Sequence, residues 1–370
     1  MNIRSEFRNS GHCKTLLEQI QRTSTRQITV MEVCGGHTAS IHRFGIPALL
    51  PDTINLVSGP GCPVCVTDVR FIDHCVALAR LPDTILTTYG DLMRVPGSSS
   101  SLEREKAKGA DIRFVYSTNE VLTLARKHPE KKIIFGGIGF ETTTPGTAVA
   151  IIEAHASELE NLFVLSAHKI MPPAMTALID EGISIDAYIC PGHVSVVTGS
   201  SIYDDIAQRY KKPCVVSGFE PVDILHSILM ILRQVQKGDA RVEIQYSRAV
   251  KPQGNAKART LMERVFETTD TCWRGLGVIP ESGLKIREKY GMYDAERIPV
   301  SVEPAREITG CICGLILKGL NKPVDCKLFG KACTPDQPVG ACMVSSEGAC
   351  AAYYNNRQIC SVNQKDSTCK

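Results

Sequence analysis

The sequence predicts an α/β protein in which two similar, doubly wound parallel-sheet domains are followed by a smaller, cysteine-rich domain. Two observations lead to this fold class. Between residues 28 and 217, short apolar runs rich in β-branched residues alternate with segments of helical periodicity, a pattern typical of parallel strands covered by helices on both faces. In addition, half of the sixteen cysteines lie in the last sixty residues, which marks a separate C-terminal region.

Eight strands are predicted, each ending in a Gly-rich or polar turn. They are ITVMEV (28–33), INLVS (54–58), DTILTT (83–88), IRFVY (112–116), KIIFG (132–136), NLFVLS (161–166), DAYIC (186–190) and PCVVS (213–217). Eight such units fit either one closed eight-stranded barrel or two doubly wound domains of four strands each. We favour two domains, because the polar, proline-containing stretch KHPEKK follows the fourth unit as a joint would. The predicted domains are therefore the first α/β domain at 1–130, the second at 131–240 and the C-terminal domain at 241–370.

Other segments give less regular signals. The Ser-rich, charged stretch 97–110 predicts a solvated loop that leads into a short helix. Residues 250–270 predict a loop followed by a helix, and residues 271–286 are rich in turn-forming residues. The Gly- and Pro-broken segments of the C-terminal domain bury little apolar surface alone, so we expect a bound metal centre to stabilise it.

Composition and charge exclude several classes of function. The net charge is +3, so no strong field favours nucleic acid or an anionic membrane. No run of about 18 apolar residues occurs, and the first residues lack the apolar region of a signal peptide. We therefore expect a cytoplasmic protein that binds neither nucleic acid nor membrane. Since cytosolic thiols are kept reduced, metal ligation and redox chemistry explain sixteen cysteines better than structural disulfides do.

Reactive residues follow the predicted strands, at the sheet edge where α/β proteins bind ligands. The first strand runs into Cys34-Gly35-Gly36-His37. Backbone N–H groups at the start of a helix and a protonated His37 would both favour a thiolate at Cys34. A thiolate is both a nucleophile and a soft metal ligand. The alternative is that Cys34 is a small buried hydrophobe, which the two adjacent glycines disfavour.

The second strand runs into GPGCPVC (59–65), in which Cys62 and Cys65 form a Cys-x-x-Cys. This spacing suits either a small-ring disulfide or chelation of one metal ion. No second Cys-x-x-Cys is present to complete a structural zinc site. A mixed zinc site made of Cys34, His37, Cys62 and Cys65 stays an alternative.

Polar residues follow three later strands. Glu141 lies in GFETT, His193 in PGHVS and Glu220 in GFEP. Each could orient a ligand or relay protons, and the alternative for each is a structural hydrogen bond. The GGIG sequence at 136–139 lacks the full G-x-G-x-x-G pattern and no P-loop occurs, so a nucleotide site is only weakly indicated.

The C-terminal cysteines offer several groups of four. One is Cys313-x12-Cys326-x6-Cys333-x16-Cys350, and four thiolates are a standard ligand set for an iron–sulfur cluster. Zinc is the chemical alternative, but the short paired spacing typical of zinc sites is absent, which favours the cluster. Spacing alone does not select these four, because other thiols lie nearby: Cys311, Cys342 and Cys360.

Taken together, these segments resemble the HypD family of [NiFe]-hydrogenase maturation proteins. The matching stretches span nearly the whole chain in order: MEVCGGHT, GPGCPVC, YGDLMRVPG, GFETT, PGHVS, GFEP, WRGLG, CGLIL, LFGKACTP and MVSSEGACAAYY. The resemblance implies two similar α/β domains plus a third domain that carries a [4Fe-4S] cluster. It also implies a scaffold on which iron acquires cyanide and carbonyl ligands.

The resemblance further implies partners and residue roles. HypC would work with the scaffold, HypE would supply cyanide after carbamoyl transfer by HypF, and the hydrogenase large subunit would be reached indirectly. Cys34 would be the iron ligand, and Cys62 and Cys65 would be the redox pair. The cluster ligands of the family pattern fall on Cys313, Cys326, Cys333 and Cys350.

These expectations combine into one hypothesis of mechanism. Cys34 holds iron in a cleft between the α/β domains, while Cys62 and Cys65 cycle between dithiol and disulfide. The cluster passes electrons to that pair or to the iron. The alternatives are a thiol–disulfide oxidoreductase with an iron–sulfur cluster, which needs no iron at Cys34, and a zinc-stabilised binding module without redox chemistry. The cleft would be lined by His37, Glu141, His193 and Glu220.

Overall fold

A computed structural model describes residues 6–306 and 308–356 of the chain. Two separate parallel sheets and one antiparallel hairpin are found there. All eight predicted strands are present, which confirms the α/β class with parallel sheets. A single closed barrel is excluded, because the eight strands divide between two sheets.

The elements follow in chain order. The strands are β1 (Ile28–Glu32), β2 (Ile54–Ser58), β3 (Thr84–Thr88), β4 (Ile112–Phe114), β5 (Lys132–Gly139), β6 (Leu162–His168), β7 (Ala187–Pro191), β8 (Cys214–Ser217), β9 (Val242–Ile244), β10 (Phe266–Trp273) and β11 (Gly277–Ile286). The helices are α1 (Ser10–Thr23), α2 (Gly35–Arg43), α3 (Pro63–Val66), α4 (Val69–Ala79), α5 (Leu102–Ala107), α6 (Thr118–Lys127), α7 (Thr144–Ala156), α8 (Met171–Asp180), α9 (Gly192–Thr198), α10 (Asp204–Gln208), α11 (Pro221–Lys237), α12 (Ala256–Val265) and α13 (Cys313–Leu317), and residues 349–356 are also helical.

The first sheet has five strands in the order β2-β1-β7-β8-β9, all parallel. Every residue of β7 is buried, as expected for a strand covered on both faces. The helix α11 that follows β8 begins with Pro221 behind a capping box of Glu220 and Asp223, and ends at Gly238 in the left-handed region with φ 64°.

The second sheet has four strands in the order β4-β3-β5-β6, again all parallel. Each sheet thus takes strands from both sides of residue 130, where the sequence places the first domain boundary. The predicted boundary does not separate the two sheets, because β1 pairs with β7 and β3 pairs with β5. The alternation of strands and helices shows how many strands exist, but it carries no information on which strands become neighbours.

One apolar core joins the two sheets. It contains Met31 from β1, Leu86 from β3, Ile134 from β5 and Tyr188 from β7, all fully buried. Each sheet also packs a separate apolar cluster on its other face, with Ile133 in the second sheet and Val30 in the first, so the two sheets share one core and each has one of its own.

The segment after α12 differs from the sequence expectation. The predicted helix is confirmed over Ala256–Val265, but residues 266–286 form the antiparallel hairpin β10–β11 instead of a series of turns. Trp273 at the end of β10 is fully buried and donates its Nε1–H to Ser282 Oγ at 2.8 Å. The short helix predicted within 97–110 is confirmed as α5, but the loop before it is not solvated as predicted, because Ser100 and Ser101 are buried. None of the helices in the described part of the chain is long and apolar enough to span a membrane.

The strand order makes a prediction for fragments of the chain. A fragment of residues 131–240 contains two strands of each sheet but lacks β1 and β3, the central partners of β7 and β5. We expect it to lack a cooperative urea unfolding transition, measured by circular dichroism, that the full-length chain shows. A sigmoidal transition of the fragment alone would contradict this assignment of its strands to two sheets.

Candidate thiol and metal centre

The chain order of the first sheet reverses between β1 and β7, because β1 leads to β2 on one side and β7 leads to β8 on the other. A crevice forms outside the carboxyl ends of the strands at such a point. Cys34 follows β1 and His193 follows β7, and Cys34 Sγ lies 3.7 Å from His193 Nδ1. Two of the predicted site residues, far apart in sequence, therefore meet in this crevice.

The thiol of Cys34 is deeply buried, with 2% of the residue exposed. Its burial raises the pKa of Cys34, and the nearby carboxyls of Glu32 and Glu347 raise it further, whereas backbone N–H groups of His37 and Gly36 oppose the shift. The expected thiolate at Cys34 is therefore wrong for the protein without a bound cation, in which the thiol is protonated at neutral pH.

The expectation of a protonated His37 is also wrong. Its ring is fully buried, and this burial lowers the pKa of His37 to about 4. The neutral ring donates its Nε2–H to the carbonyl oxygen of Gly218 at 2.9 Å. Its Nδ1 has no hydrogen-bond partner among the described residues.

Phe219 lies between the two histidines of the site. Its ring stacks on His37 with centroids 4.8 Å apart and packs against His193 with centroids 5.3 Å apart. His193 is exposed, in contrast to His37. The crevice thus has one buried neutral imidazole and one imidazole that faces solvent beside the Cys34 thiol.

Glu32 is a site residue that the sequence analysis missed. It is the last residue of β1 and is buried, and it accepts hydrogen bonds from the Cys34 N–H (3.0 Å) and the Thr38 hydroxyl. Burial raises the pKa of Glu32 to about 8. A carboxyl that ends an otherwise apolar strand, directly before a reactive loop, is the signal that could have identified it.

Cys62 and Cys65 are joined by a disulfide, with Cα atoms 5.3 Å apart. They bracket the first turn of α3, which we call the CPVC turn (residues 62–65). The loop before this turn packs on the loop after β1: the Gly35 N–H donates to the Gly61 carbonyl at 2.9 Å. A Cβ atom on Gly61 would lie 2.1 Å from the Cys34 nitrogen, so only glycine fits there. The loops that carry the three predicted thiols are therefore in backbone contact.

The mixed zinc site is not assembled in this structure. Cys62 and Cys65 are bonded to each other, and the Nε2 of His37 donates to Gly218. Among the described residues, no group of three or more His, Cys, Asp or Glu has a geometry that would hold one metal ion.

Two other predicted residues make contacts away from Cys34. The buried carboxyl of Glu141 accepts the Met171 N–H at 3.0 Å, at the start of α8. Its second oxygen has no partner among the described residues, and burial raises the pKa of Glu141 to about 7. Glu220 forms an ion pair with Arg8 (Nη2–Oε1 2.9 Å) and caps α11. Both carboxylates thus have structural contacts.

A second group of thiols surrounds a small cavity, which we call the cysteine pocket. Apolar side chains of Ile316, Leu328 and Phe329 contribute to its wall. A Cβ atom on Gly340 would lie 2.6 Å from Cys311 Sγ and 2.7 Å from Cys313 Sγ, so this glycine allows the backbone to approach both sulfurs. The five cysteines that line the pocket are Cys311, Cys313, Cys326, Cys333 and Cys350.

The pocket contains the four cysteines of the predicted quartet and one more. Cys313 is in closest contact with the others: thiols of Cys311, Cys342 and Cys350 donate hydrogen bonds to its sulfur and hold the pKa of Cys313 well below its usual range. Cys311 Sγ lies 3.1 Å from Cys313 Sγ. Cys342 is fully buried and is not among the pocket-lining residues. Of the further thiols considered, Cys360 lies outside the described residues.

The thiols of the cysteine pocket are donors of the kind that iron–sulfur clusters use, since a [4Fe-4S] cluster takes one thiolate at each of its four irons. The pocket offers five such thiols around one cavity.

The CPVC turn and the cysteine pocket are linked by the tip of the β10–β11 hairpin. The Arg274 N–H donates to the Val66 carbonyl at 2.9 Å, and Arg274 Nε donates to the Thr67 carbonyl at 2.7 Å. Arg274 also lines a groove together with Cys311 and Cys313, and the thiols of Cys313 and Cys342 are among its electrostatic neighbours. Cα atoms of α3 also approach those of the 3-10 turn Ala341–Met343 within 8 Å.

Comparison with known proteins gives a consistent result along the chain. The family model described as "Hydrogenase formation hypA family", under the name HypD, matches residues 11–357. The hydrogenase maturation factor HypD of Rhodobacter capsulatus is 47% identical over 368 residues, covering 96% of this chain and 98% of the relative. The hydrogenase expression/formation protein HupD of Azotobacter chroococcum is 46% identical over 366 residues, covering 96% of each chain. A hydrogenase maturation factor HypD of Azotobacter vinelandii is 45% identical over 365 residues, again covering 96% of each.

The raised pKa of Glu141 predicts a pH-dependent stability. The folded protein holds the Glu141 proton more tightly than the unfolded chain does. The contribution of this proton to the free energy of unfolding is therefore fully present below the ordinary pKa of 4.5 and is lost as the pH rises through about 7. Glu141→Gln should remove this loss, up to about 3 kcal/mol, when the free energy of unfolding is measured in urea from pH 5 to 8. Glu18→Gln, at an exposed position of α1, is the control. An unchanged pH slope in Glu141→Gln would show that the carboxyl is ionised in the fold.

Proposed function

Because the chain belongs to the HypD family of hydrogenase maturation proteins, we propose that it is a scaffold which holds iron while cyanide and carbonyl ligands are assembled. The observation that carries this proposal is the crevice between β1 and β7. There the Cys34 thiol lies 3.7 Å from His193 Nδ1, and the loop of Cys34 is in backbone contact with the loop that leads to the CPVC turn.

In this proposal the iron is cargo, and Cys34 is its ligand. A buried neutral thiol must lose its proton when it binds a cation. His193 is positioned to accept that proton, because its Nδ1 faces the sulfur and its ring is exposed to solvent. Phe219, which contacts both imidazoles, would keep the His193 ring beside the sulfur.

The open side of the crevice would receive the partners. His193 is exposed there, so a second protein can supply a further ligand to iron held at Cys34. We propose HypC as that protein and HypE, with HypF upstream, as the source of cyanide. The hydrogenase large subunit would receive the finished group indirectly.

The CPVC turn would supply reducing equivalents next to the iron in its dithiol form, which releases two electrons and two protons as the disulfide seen here forms again. Breaking its S–S bond requires two electrons and two protons and yields the thiols of Cys62 and Cys65. A [4Fe-4S] cluster bound in the cysteine pocket would supply single electrons. The short approach of α3 to Ala341–Met343, and the hydrogen bond from Cys342 to Cys313, support electron transfer between these sites.

Four of the five pocket cysteines would hold the cluster. Cys311 has Cys326 among its electrostatic neighbours, and Cys350 has Cys333 among its own. Cys313 accepts hydrogen bonds from two other pocket thiols, Cys311 and Cys350, as well as from Cys342. This central position supports the predicted Cys313 as the ligand that completes the set of Cys326, Cys333 and Cys350.

A thiol–disulfide oxidoreductase is the second candidate, and the disulfide itself is the observation that favours it. However, Cys62 is 3% exposed and Cys65 is fully buried. The disulfide of a substrate protein would have to reach sulfur atoms that the fold covers. Iron held at Cys34 would already lie beside the pair, so its reduction would not require the pair to be exposed. The burial of the pair therefore favours the scaffold.

The central test is Cys34→Ala in protein purified anaerobically with HypC. We expect infrared bands of nitrile and metal–carbonyl groups in the wild type and their loss in the variant, since the iron has lost its thiolate. Cys13→Ala, in α1 and away from the crevice, should keep the bands. If Cys34→Ala kept them, Cys34 would not be the iron ligand. If the wild type itself lacked these bands, the scaffold proposal would fail, even if Cys34→Ala still abolished hydrogenase maturation.

The cluster ligands can be tested by single serine variants and their iron content. Cys313→Ser, Cys326→Ser, Cys333→Ser and Cys350→Ser should each reduce the iron from about four per chain to below about one and remove the brown absorbance. Cys311→Ser should keep most of the iron, and Cys272→Ser is the control outside the pocket. Loss of iron in Cys311→Ser with full retention in Cys313→Ser would replace Cys313 by Cys311 in the quartet predicted from the sequence. Colourless wild-type protein that contains zinc would contradict the cluster.

A further inference from the structure

The cysteine pocket has one side that faces inward and one that faces solvent. Cys342 and Arg274 lie on the inward side, towards the CPVC turn. Among the pocket cysteines, Cys326 and Cys311 are only partly buried, whereas Cys313, Cys333 and Cys350 are buried. The polypeptide around Cys326 is therefore one of the two places where this pocket approaches solvent.

The surface segment 320–331, which we call the basic segment, surrounds Cys326. Its lysines Lys322, Lys327 and Lys331 are all exposed, and none of them forms an ion pair within the ranges 6–306 and 308–356. By contrast, the neighbouring Lys318 pairs with Glu181. The charge of these three lysines is therefore available to another molecule.

The acidic content of this segment does not cancel that charge. Asp325 is its one carboxylate, and its Oδ2 accepts the Lys322 backbone N–H at 2.7 Å as part of a local turn. The segment thus keeps a net charge of about +2 over twelve residues, against +3 for the entire chain of 370. Basic charge is concentrated where the pocket meets solvent.

Apolar side chains are interleaved with these lysines. Leu320 is 54% exposed and Val324 is 56% exposed, and both belong to the basic segment. Exposed apolar side chains rimmed by charge mark interaction surfaces. Complexes of electron-transfer proteins are small, below about 1,200 Å², and depend on complementary charge for orientation and rate. A segment of this size and charge fits that class of contact.

We infer that the basic segment is the docking surface for a small acidic one-electron carrier protein of the ferredoxin class. The inference rests on the proposed function, because it assumes redox turnover of the CPVC turn. Each reduction of the Cys62–Cys65 disulfide consumes two electrons and two protons, and the chain must obtain those electrons from outside. Two reduced carriers, each docking beside Cys326, each lose one electron.

The test uses the full-length protein and an acidic bacterial 2[4Fe-4S] ferredoxin as the probe. The patch variant combines Lys322→Glu, Lys327→Glu and Lys331→Glu. The control variant combines Lys14→Glu, Lys251→Glu and Lys257→Glu, three exposed lysines outside the segment with the same change in charge. Binding of oxidised ferredoxin is measured by biolayer interferometry, which needs no redox activity. Reduction of the pocket's cluster by reduced ferredoxin is followed by visible absorbance.

We expect wild-type affinity to fall as salt is raised towards about 0.15 M. The patch variant should bind at least about tenfold more weakly and be reduced correspondingly more slowly, while the control stays within about twofold of wild type. Equal weakening of both variants, or unchanged affinity of the patch variant, would overturn the inference. The inference would also be overturned if hydrogen exchange without ferredoxin showed that a second copy of the chain protects the basic segment. Protein that contains no cluster would instead count against the proposed function, and the binding measurement would still be interpretable.

Discussion

The arrangement of the site depends on one backbone contact, in which Gly61 lies directly against the peptide that joins Val33 and Cys34. The space between them admits no Cβ atom, and the Gly35 N–H fixes the contact through the Gly61 carbonyl. Because parallel strands β1 and β2 are neighbours, their following loops start side by side, and this contact brings them together. A ligand held at the first loop is therefore next to the redox-capable turn of the second, without any long-range motion of the sheets.

The β10–β11 hairpin extends this arrangement towards the C-terminal cysteines. Its buried Trp273 stacks on Phe140, which directly follows β5, and its tip holds the end of α3 through Arg274. On the opposite side, a Cβ on Gly275 would meet the Gly314 backbone at 2.4 Å, next to Cys313. One tight turn is thus wedged between the disulfide and the cysteine pocket. The cation of Arg274 lies where thiol charge changes during redox chemistry, so it is suited to stabilise the more negative state.

The sequence pattern predicted the strands well because a parallel strand covered on both faces must be apolar throughout, as β7 is. The pairing of β1 with β7 could not be read in the same way, since every such strand presents a similar apolar edge. The hairpin was missed because β10 is mostly polar, with only Phe266 and Trp273 at its ends buried, and because the glycines of the following turn, Gly275 and Gly277, also mark loops. At the site, Cys34 and His193 were located by the rule that ligands bind beyond the carboxyl ends of parallel strands. The roles of Glu141 and Glu220 depend instead on their tertiary partners, Met171 and Arg8, which no local sequence pattern encodes. Spacing alone does not choose between Cys311 and Cys313, and only the structure shows that Cys313 contacts the larger number of neighbouring thiols.

The pairing of Val30 with Ala187 also has a consequence for synthesis on the ribosome. The strands of the second sheet are all translated before β7 emerges, so they can pair while β1 and β2 wait without their central neighbour. During this interval an apolar strand edge and the thiols of the nascent chain stay exposed, and such unpaired edges are prone to aggregation. Closing a connection of this length is also slow. The protein should therefore depend on chaperones that shield the early segment until the late one arrives, and translation rate across the middle of the message should affect its yield.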